Sequence, residues 1–412
     1  MVMTTYEKAY EKLEKYGQLH VLQYYTELSE EQKEELLAQI LATDFSVLTS
    51  REKETGKESE KGKIAPLAAM ELDEINARRD EFERIGLEAI RAGKVGAVLL
   101  AGGMGTRLGS DDPKGMYDIG LTKPVYIFER IMRNTLDVVE RSGAWIPFFI
   151  MTSDKNHQAT TMFFKTHNYF GYNPDYVCFF QQEMAPASDY EGRVYMEEKG
   201  RISTSPNGNG GWFVSMERSE AGKKMHAMGV EWLNVFAVDN VLQRIADPCF
   251  IGGVIAENRA SGSKVVRKAA PDEKVGVMCL EDGRPSIIEY YELTQELMDA
   301  KDEKGEPAYN FGAILNYLFR VKDLVEIMNH HLPLHVVEKK IPYLDEQGMF
   351  IKPEAPNGYK YEQLVLDMVH ELESCLPFEV VREREFAPIK NRTGIDSVDS
   401  ARELLAGNGV IL

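Results

Sequence analysis

The sequence predicts an α/β fold with a mixed, mostly parallel sheet, an inserted antiparallel portion and an N-terminal helical region. Three observations carry that expectation. Val95–Ala101 is a continuous apolar run, VGAVLLA, closed abruptly by glycines. Too short for a free-standing helix, it reads as a strand buried on both faces of a parallel sheet. Further apolar runs of strand length then alternate with stretches of helical spacing. Later, Asp282-Gly283 separates two β-rich segments, a hairpin signal.

In chain order, Tyr6–Gly17 and Gln18–Leu28 have amphipathic helical spacing. Ser29 and Gln32 form a capping-box pattern that opens a third helix, with Leu36, Leu37, Ile40 and Leu41 on one face. Arg51–Lys63, REKETGKESEKGK, is charged and low in complexity, so an exposed loop is expected. A helix over Leu67–Ala92 leads into the Val95 strand. Beyond it, Phe128, Ile131, Met132, Leu136 and Val139 repeat at helical spacing, and Trp145–Thr152 is again a strand. Strand, helix and strand of these lengths make a right-handed crossover. The alternation continues with helix Asn156–Tyr169, strand Tyr176–Gln182, helix Trp212–Met228 and strand Trp232–Val238. Lys264–Ala269, Lys274–Leu280 and Ser286–Tyr291 read as antiparallel strands, with helices and short strands to the end. The expected division is a helical region over residues 1–93 with its charged loop at 51–63, an α/β domain over 94–390, and a short tail over 391–412.

Composition narrows the function. The 412 residues include 43% hydrophobic and 28% charged ones, ordinary for a soluble globular chain with a large core. No run approaches the ~18 apolar residues of a membrane span. The opening residues, MVMTTYEKAYEKLEKYG, lack the apolar core of a secretory signal, so a cytoplasmic location is expected. A net charge of −18 opposes nucleic-acid binding, which needs a basic footprint, but leaves room for a local basic pocket. Cys178, Cys249, Cys279 and Cys375 are widely spaced among apolar neighbours, as buried reduced thiols are. His330-His331 reads as a solvated helix end rather than a metal site. The residues carry no signal for oligomeric state.

The chemistry concentrates after the Val95 strand, in GGMGTRLGSDDPKG, Gly102–Gly115. Glycines let the backbone approach a ligand, and successive free N–H groups form an anion-binding concavity. Arg107 adds a planar cation and Lys114 a mobile one. A nucleoside triphosphate calls for those elements. The loop is not a dinucleotide fingerprint, because Leu108 stands where a third glycine belongs, and no Gly-Lys-Ser/Thr closes it as in a Walker A loop. Two further strand ends carry useful polar groups. Gln181-Gln182 offers amides suited to a pyrimidine edge, and Asp239-Asn240 offers a carboxylate suited to Mg2+ beside a triphosphate. Each pair also has a bland reading, as edge solvation or as a turn.

The string from Leu100 to Gly109 followed by PKGMYD resembles the signature of sugar-nucleotide pyrophosphorylases, specifically the eukaryotic-type UDP-N-acetylglucosamine pyrophosphorylases, with Met104 in place of their usual glutamine. Their later motifs are matched in order by Phe179–Gln182, Pro206–Gly211, Val238–Asn240, Ile288-Glu289-Tyr290, Lys352–Lys360 and Pro388–Asn391. The resemblance runs from about Gly17 to the end of the chain. It implies a Rossmann-like nucleotidyltransferase that joins UTP to a sugar 1-phosphate, preferably N-acetylglucosamine 1-phosphate, with Mg2+ as cofactor. The alternative substrate is glucose 1-phosphate. By the same resemblance Gly102, Gly103 and Gln182 hold the uracil end, and Gly208, Asp239 and Lys360 the rest of the nucleotide, with Asp239 at the metal. Asn209, Glu289 and Tyr290 face the sugar phosphate. Arg107, Lys114 and Lys390 supply catalytic charge.

Two departures from the family pattern stand out. Asn310–Ile314 reads NFGAI where the family has NAGNI, so Ala313 replaces an asparagine expected to face the sugar. The family's eukaryotic members also continue into a further β-rich region without counterpart in the residues up to Leu412. Two rival readings differ in class. A dinucleotide-dependent oxidoreductase is opposed by Leu108 and by Met151-Thr152-Ser153, where an acid should end the second strand. A sugar-nucleotide sensor without turnover is opposed by the retention of Arg107, Lys114, Asp239 and Lys390.

Overall fold

The computed structural model describes residues 3–48, 62–328 and 332–412. Residues 51–61 of the charged stretch and His330-His331 lie outside the described residues. Of the described residues, 3–48, 182–211 and 332–365 cluster into one compact unit. Residues 62–181, 212–328 and 366–412 form the other.

The second unit is built on a ten-stranded sheet. Its strands are β1 Ile64–Pro66, β2 Val95–Leu100, β3 Phe148–Thr152, β4 Val177–Gln181 and β5 Trp232–Ala237, followed by β6 Ser261–Arg267, β7 Val277–Glu281, β8 Arg284–Ile288, β9 Phe311–Arg320 and β10 Cys375–Glu379. Neighbours β5, β2, β3 and β4 are parallel, with Val98 opposite both Val235 and Phe149. Every residue of β2 and β3 is buried, which is why they read as unbroken apolar runs. Helix Ile127–Ser142 makes the crossover between them and buries Ile127, Phe128, Ile131 and Met132 in the core. Each such apolar side chain contributes about 1.5–3 kcal/mol on burial.

From β2 the chain adds β3 and β4 on one side, then returns to place β5 on the other. The reversal sets a topological switch point between β2 and β5, where the carboxyl ends of parallel strands leave a crevice for ligands. The expected antiparallel portion belongs to this same sheet. Long β9 pairs antiparallel with β5 along one edge and with β6 on the other, and β6 pairs parallel with β10. Strands β7 and β8 form the expected hairpin, with Asp282 at φ 49° and Gly283 at φ 82°.

The first unit packs helices Thr5–Lys15 and Glu30–Ala42 with four two-stranded antiparallel ladders. Its core includes Leu13, Leu36, Ile40, Phe45 and Tyr361. The Ser29–Gln32 capping box forms as expected.

Three expected helices take a different course. Gln18–Leu28 holds two short 3-10 turns, Leu19–Leu22 and Tyr25–Glu27, because the Gln18 side chain is engaged far along the chain. Its Nε2 donates to the Tyr16 and Gly192 carbonyls, and its Oε1 accepts from the Val194 N–H. The Leu67–Ala92 helix begins only at Leu72 and breaks at Arg78. Met70 is drawn to the sheet edge instead, donating to the Pro377 carbonyl and accepting from the Glu379 N–H. The 212–228 helix splits into Trp212–Glu217 and Glu220–Ala227, the second capped by Ser219.

None of the four cysteines forms a disulfide, and burial pushes the Cys249 and Cys375 thiols up to about 12. Among the described residues no helix is long and apolar enough to cross a membrane.

Candidate functional site

At the switch point the Gly102–Lys114 loop folds back on itself. The Gly105 N–H donates to the Asp112 carbonyl at 2.8 Å, and the Lys114 N–H donates to the Gly103 carbonyl at 3.2 Å. Lys114 is thereby returned to the carboxyl end of β2. The loop is pinned from beneath by Asn156, wholly buried, whose Nδ2 donates to the Ala101 carbonyl at 2.9 Å. Its Oδ1 accepts from the Ser153 N–H at 2.8 Å. Sequence reasoning passed over Asn156. The one signal was an amide shortly after an apolar strand. Gly103 is exposed, and a Cβ there would meet nothing within 4 Å, so the backbone is open to a ligand from that side.

Arg107 sits in the 3-10 turn Thr106–Leu108 with its side chain exposed. No acidic partner lies within 4.0 Å of it among the described residues. Lys114 is half-buried and faces Asp239, just past the end of β5, with Nζ 4.0 Å from Oδ2. Burial holds the Lys114 ammonium below the usual lysine range. Asp239 opposes that shift, while the like charges of Lys390 and Arg107 reinforce it. Lys390 reaches the same group from the chain's late segment. There the Ile389 N–H donates to the Asp239 carbonyl at 2.9 Å, and Lys390 Nζ lies 3.0 Å from Asp396 Oδ2. So the second unit groups Arg107, Lys390 and Asp239 around Lys114, with Asp396 paired to Lys390: three cations and two carboxylates, an arrangement suited to polyanions.

The β7–β8 hairpin carries Glu289 and Tyr290 just beyond Ile288. Ile288 lies opposite Val277, which lies opposite Gly312 on β9. One step on, the Ala313 N–H donates to the Gly276 carbonyl at 2.8 Å, and a Cβ on Gly276 would lie 3.7 Å from the Glu289 carboxyl carbon. Glu289, Gly276 and Ala313 therefore share one row across three strands. Tyr290 is exposed and stands edge-on to Tyr291 at 5.3 Å.

In the first unit, the glycine-rich loop Pro206–Gly211 is laced to the residues just beyond the strand that carries Lys360. The Gln363 N–H donates to the Asn207 carbonyl at 2.7 Å, and the Gly210 N–H donates to the Gln363 carbonyl at 2.8 Å. Asn209 Oδ1 accepts from the Val365 N–H at 2.9 Å. Gly208 has φ +86°, and a Cβ there would lie 2.1 Å from the Gln363 carbonyl oxygen. Gly208→Ala is therefore expected to cost about 2 kcal/mol or more through backbone strain and overpacking. A thermal melt within about 1 °C of the parent would contradict this. Lys360 lies on strand Gly358–Glu362, opposite Val337, and Gln182 is buried before the short strand Met184–Pro186. Among the described residues no three His, Cys, Asp or Glu side chains are grouped to hold a metal by themselves.

The family described as UTP–glucose-1-phosphate uridylyltransferase matches residues 43–403. A human relative, UDP-N-acetylhexosamine pyrophosphorylase-like protein 1, is 35% identical over 96% of this chain and 82% of its own length. The UDP-N-acetylglucosamine pyrophosphorylase of Saccharomyces cerevisiae is 37% identical over 86% of this chain and 76% of its own. Among solved structures, the uridine diphosphate N-acetylglucosamine pyrophosphorylase from Trypanosoma brucei, in complex with inhibitor, superposes with a TM-score of 0.81. It shares 27% identity, covering 99% of this chain and 85% of that one. The resemblance read from the motifs, and the α/β architecture it implied, are both borne out.

Proposed function

The chain belongs to the UTP–glucose-1-phosphate uridylyltransferase family and is a nucleotidyltransferase of the UDP-sugar pyrophosphorylase group; on that footing we propose that it joins UTP to a hexose 1-phosphate, preferably N-acetylglucosamine 1-phosphate, releasing pyrophosphate. The observation that carries this reading is the grouping of Arg107, Lys390 and Asp239 around Lys114 at the switch point. A phosphate oxygen of the sugar 1-phosphate attacks the α-phosphorus of UTP. A new O–P bond forms as the bond to the β-phosphate oxygen breaks. Nucleophile and leaving group are both ionised at neutral pH, so no side chain has to move a proton. The protein's share is alignment and charge neutralisation.

In this reading Gly102, Gly103 and Gln182 receive the uracil end, while Gly208, Asp239 and Lys360 serve the rest of the nucleotide. Asn209, Glu289 and Tyr290 face the sugar phosphate. Asp239 suits Mg2+ of the kind held by one protein carboxylate plus substrate phosphates. Its partner Lys114 stands 4.0 Å away, beyond the 2.7–2.9 Å of a charge-assisted hydrogen bond, so the carboxylate keeps lone pairs for a metal. When bound, the ion would withdraw charge from the phosphates during transfer. Family membership removes the oxidoreductase alternative. Release of pyrophosphate from UTP and Mg2+ with a panel of sugar 1-phosphates tests the reaction. No release with any sugar would overturn it.

The names of the relatives favour an N-acetylhexosamine 1-phosphate, whereas Ala313 removes an amide from the row that holds Glu289. A hydrogen bond of that kind contributes about 0.5–1.5 kcal/mol, so discrimination falls by up to about tenfold. Activity is therefore expected on both N-acetylglucosamine 1-phosphate and glucose 1-phosphate, the first modestly ahead. Ala313→Asn should sharpen the preference, read as kcat/KM for each sugar. A parent enzyme that used only glucose 1-phosphate would reverse the substrate assignment.

A further inference from the structure

Behind the crevice, in the same unit, lies a buried ionic cluster that the reaction does not use directly. Lys264, on β6, is wholly buried. Its Nζ donates to Asp247 Oδ2 at 3.0 Å, to Glu385 Oε2 at 2.5 Å and to the Arg244 carbonyl at 3.1 Å. Asp247 and Glu385 are themselves buried, and the Arg244 guanidinium lies close enough to act on both. Two cations and two anions balance. We propose that Lys264, with Asp247 and Glu385, is a positioning clamp that holds the segment bearing Lys390 in register with the segment bearing Asp239.

The two carboxylates sit on those two segments. Asp247 closes the stretch that begins at Asp239, and Glu385 opens the stretch that ends at Lys390. Between clamp and crevice the segments are laced directly. Asn240 Nδ2 donates to the Glu385 carbonyl at 2.7 Å, and Asn240 Oδ1 accepts from the Ala387 N–H at 2.9 Å. The Ile389 N–H then reaches the Asp239 carbonyl at 2.9 Å. This pairing is an isolated bridge, Asn240 to Pro388, rather than part of a continuous strand ladder. Its register therefore lacks the reinforcement of neighbouring rungs. Buried ion clusters are seldom the most stable filling for a core, and well-packed apolar groups often do as well. What such a cluster adds here is direction. One ammonium fixes two carboxylates on separate segments, with Lys390 at the far end.

The proposal rests on Lys390 serving the transfer reaction, and its test separates the two. Glu385→Gln keeps the shape and removes one charge. Lys264→Met with Glu385→Gln leaves Arg244 and Asp247 in balance and serves as the second variant if the first folds poorly. In either variant, amide exchange at Ala387 and Ile389 should quicken by about tenfold or more, because the lacing opens more often. Turnover should fall by about tenfold with KM for UTP within about twofold, the signature of misplaced rather than missing groups. Adding Glu385→Gln to Lys390→Ala should cost nothing beyond Lys390→Ala alone. Unchanged exchange in the folded variants would overturn the clamp whether or not the enzyme turns over. So would unchanged turnover beside a lowered melting temperature. Absence of pyrophosphate release by the unaltered protein would fall on the reaction instead, leaving the exchange result to decide the clamp.

Discussion

Arg107→Ala is expected to lower kcat by about 10²-fold while leaving the fold intact, the loss typical of one charge contact made at the transition state. Stability should barely move, since the side chain is exposed on a 3-10 turn and substitutions at such surface sites stay within about 0.5 kcal/mol. The loop's own shape comes from backbone bonds, Gly105 to Asp112 and Lys114 to Gly103, which the substitution leaves alone. Two further effects should appear together. Lys114 loses a like charge that helps hold its ammonium below the ordinary range, so its protonated form should persist to higher pH. Arg107→Lys should recover only part of the rate, because an ammonium cannot reproduce the planar fork of a guanidinium. Melting curves, pH profiles and kcat on the three proteins check this. Near-normal turnover in a folded Arg107→Ala enzyme would remove Arg107 from the transfer site.

The parallel half of the sheet was legible because its strands are buried on both faces. Val95–Leu100 and Phe148–Thr152 have no solvent face to interrupt the apolar run, and glycines or polar residues mark where each stops. The hairpin was legible because Asp282-Gly283 suits two successive positive φ angles. What failed was decided at a distance. Helical spacing near Gln18 loses to bonds with Gly192 and Val194, and spacing near Met70 loses to the edge of β10. No local window contains those partners. Strand β9 was hidden differently. It carries Leu315 at φ 49°, beside a register shift between Ser263 and Val265 on β6, and a bulge of that kind breaks the alternation a strand is read from.

The site divides along the same line. Arg107 and Lys114 could be singled out because loop chemistry and spacing fall in one short string. That Lys390 joins them depends on the pairing of Ile389 with Asp239, which links the end of β5 to a segment far along the chain. Asn156 was missed because its function is to bond backbone carbonyls of another loop, a task that leaves no motif. Conversely, Asn209 and Gly208 were chosen through resemblance, and the structure gives both a local backbone task as well. An asparagine whose Oδ1 already accepts from the Val365 N–H still has its Nδ2 for a ligand.

Asp239→Asn is expected to lower kcat at fixed Mg2+ by about 10²-fold and to raise the Mg2+ concentration for half-maximal rate by about tenfold or more. Asparagine keeps the shape and one oxygen, so the Ile389 bond to the backbone carbonyl at 2.9 Å should survive and the fold with it. The lost charge acts twice. A metal shared between one carboxylate and substrate phosphates loses its only anionic protein ligand in that arrangement. Lys114 also loses the one opposite charge among the groups that shift it, leaving burial, Lys390 and Arg107 all acting to lower its pKa. The charged form of a lysine disappears as pH rises through that value. The alkaline limb of the kcat profile should therefore begin at lower pH in the variant. Raising Mg2+ should restore rate near neutral pH and leave the alkaline limb displaced, which separates the metal from the lysine. A magnesium titration and a pH profile that both superimpose on the parent's would show that Asp239 serves only the turn after β5.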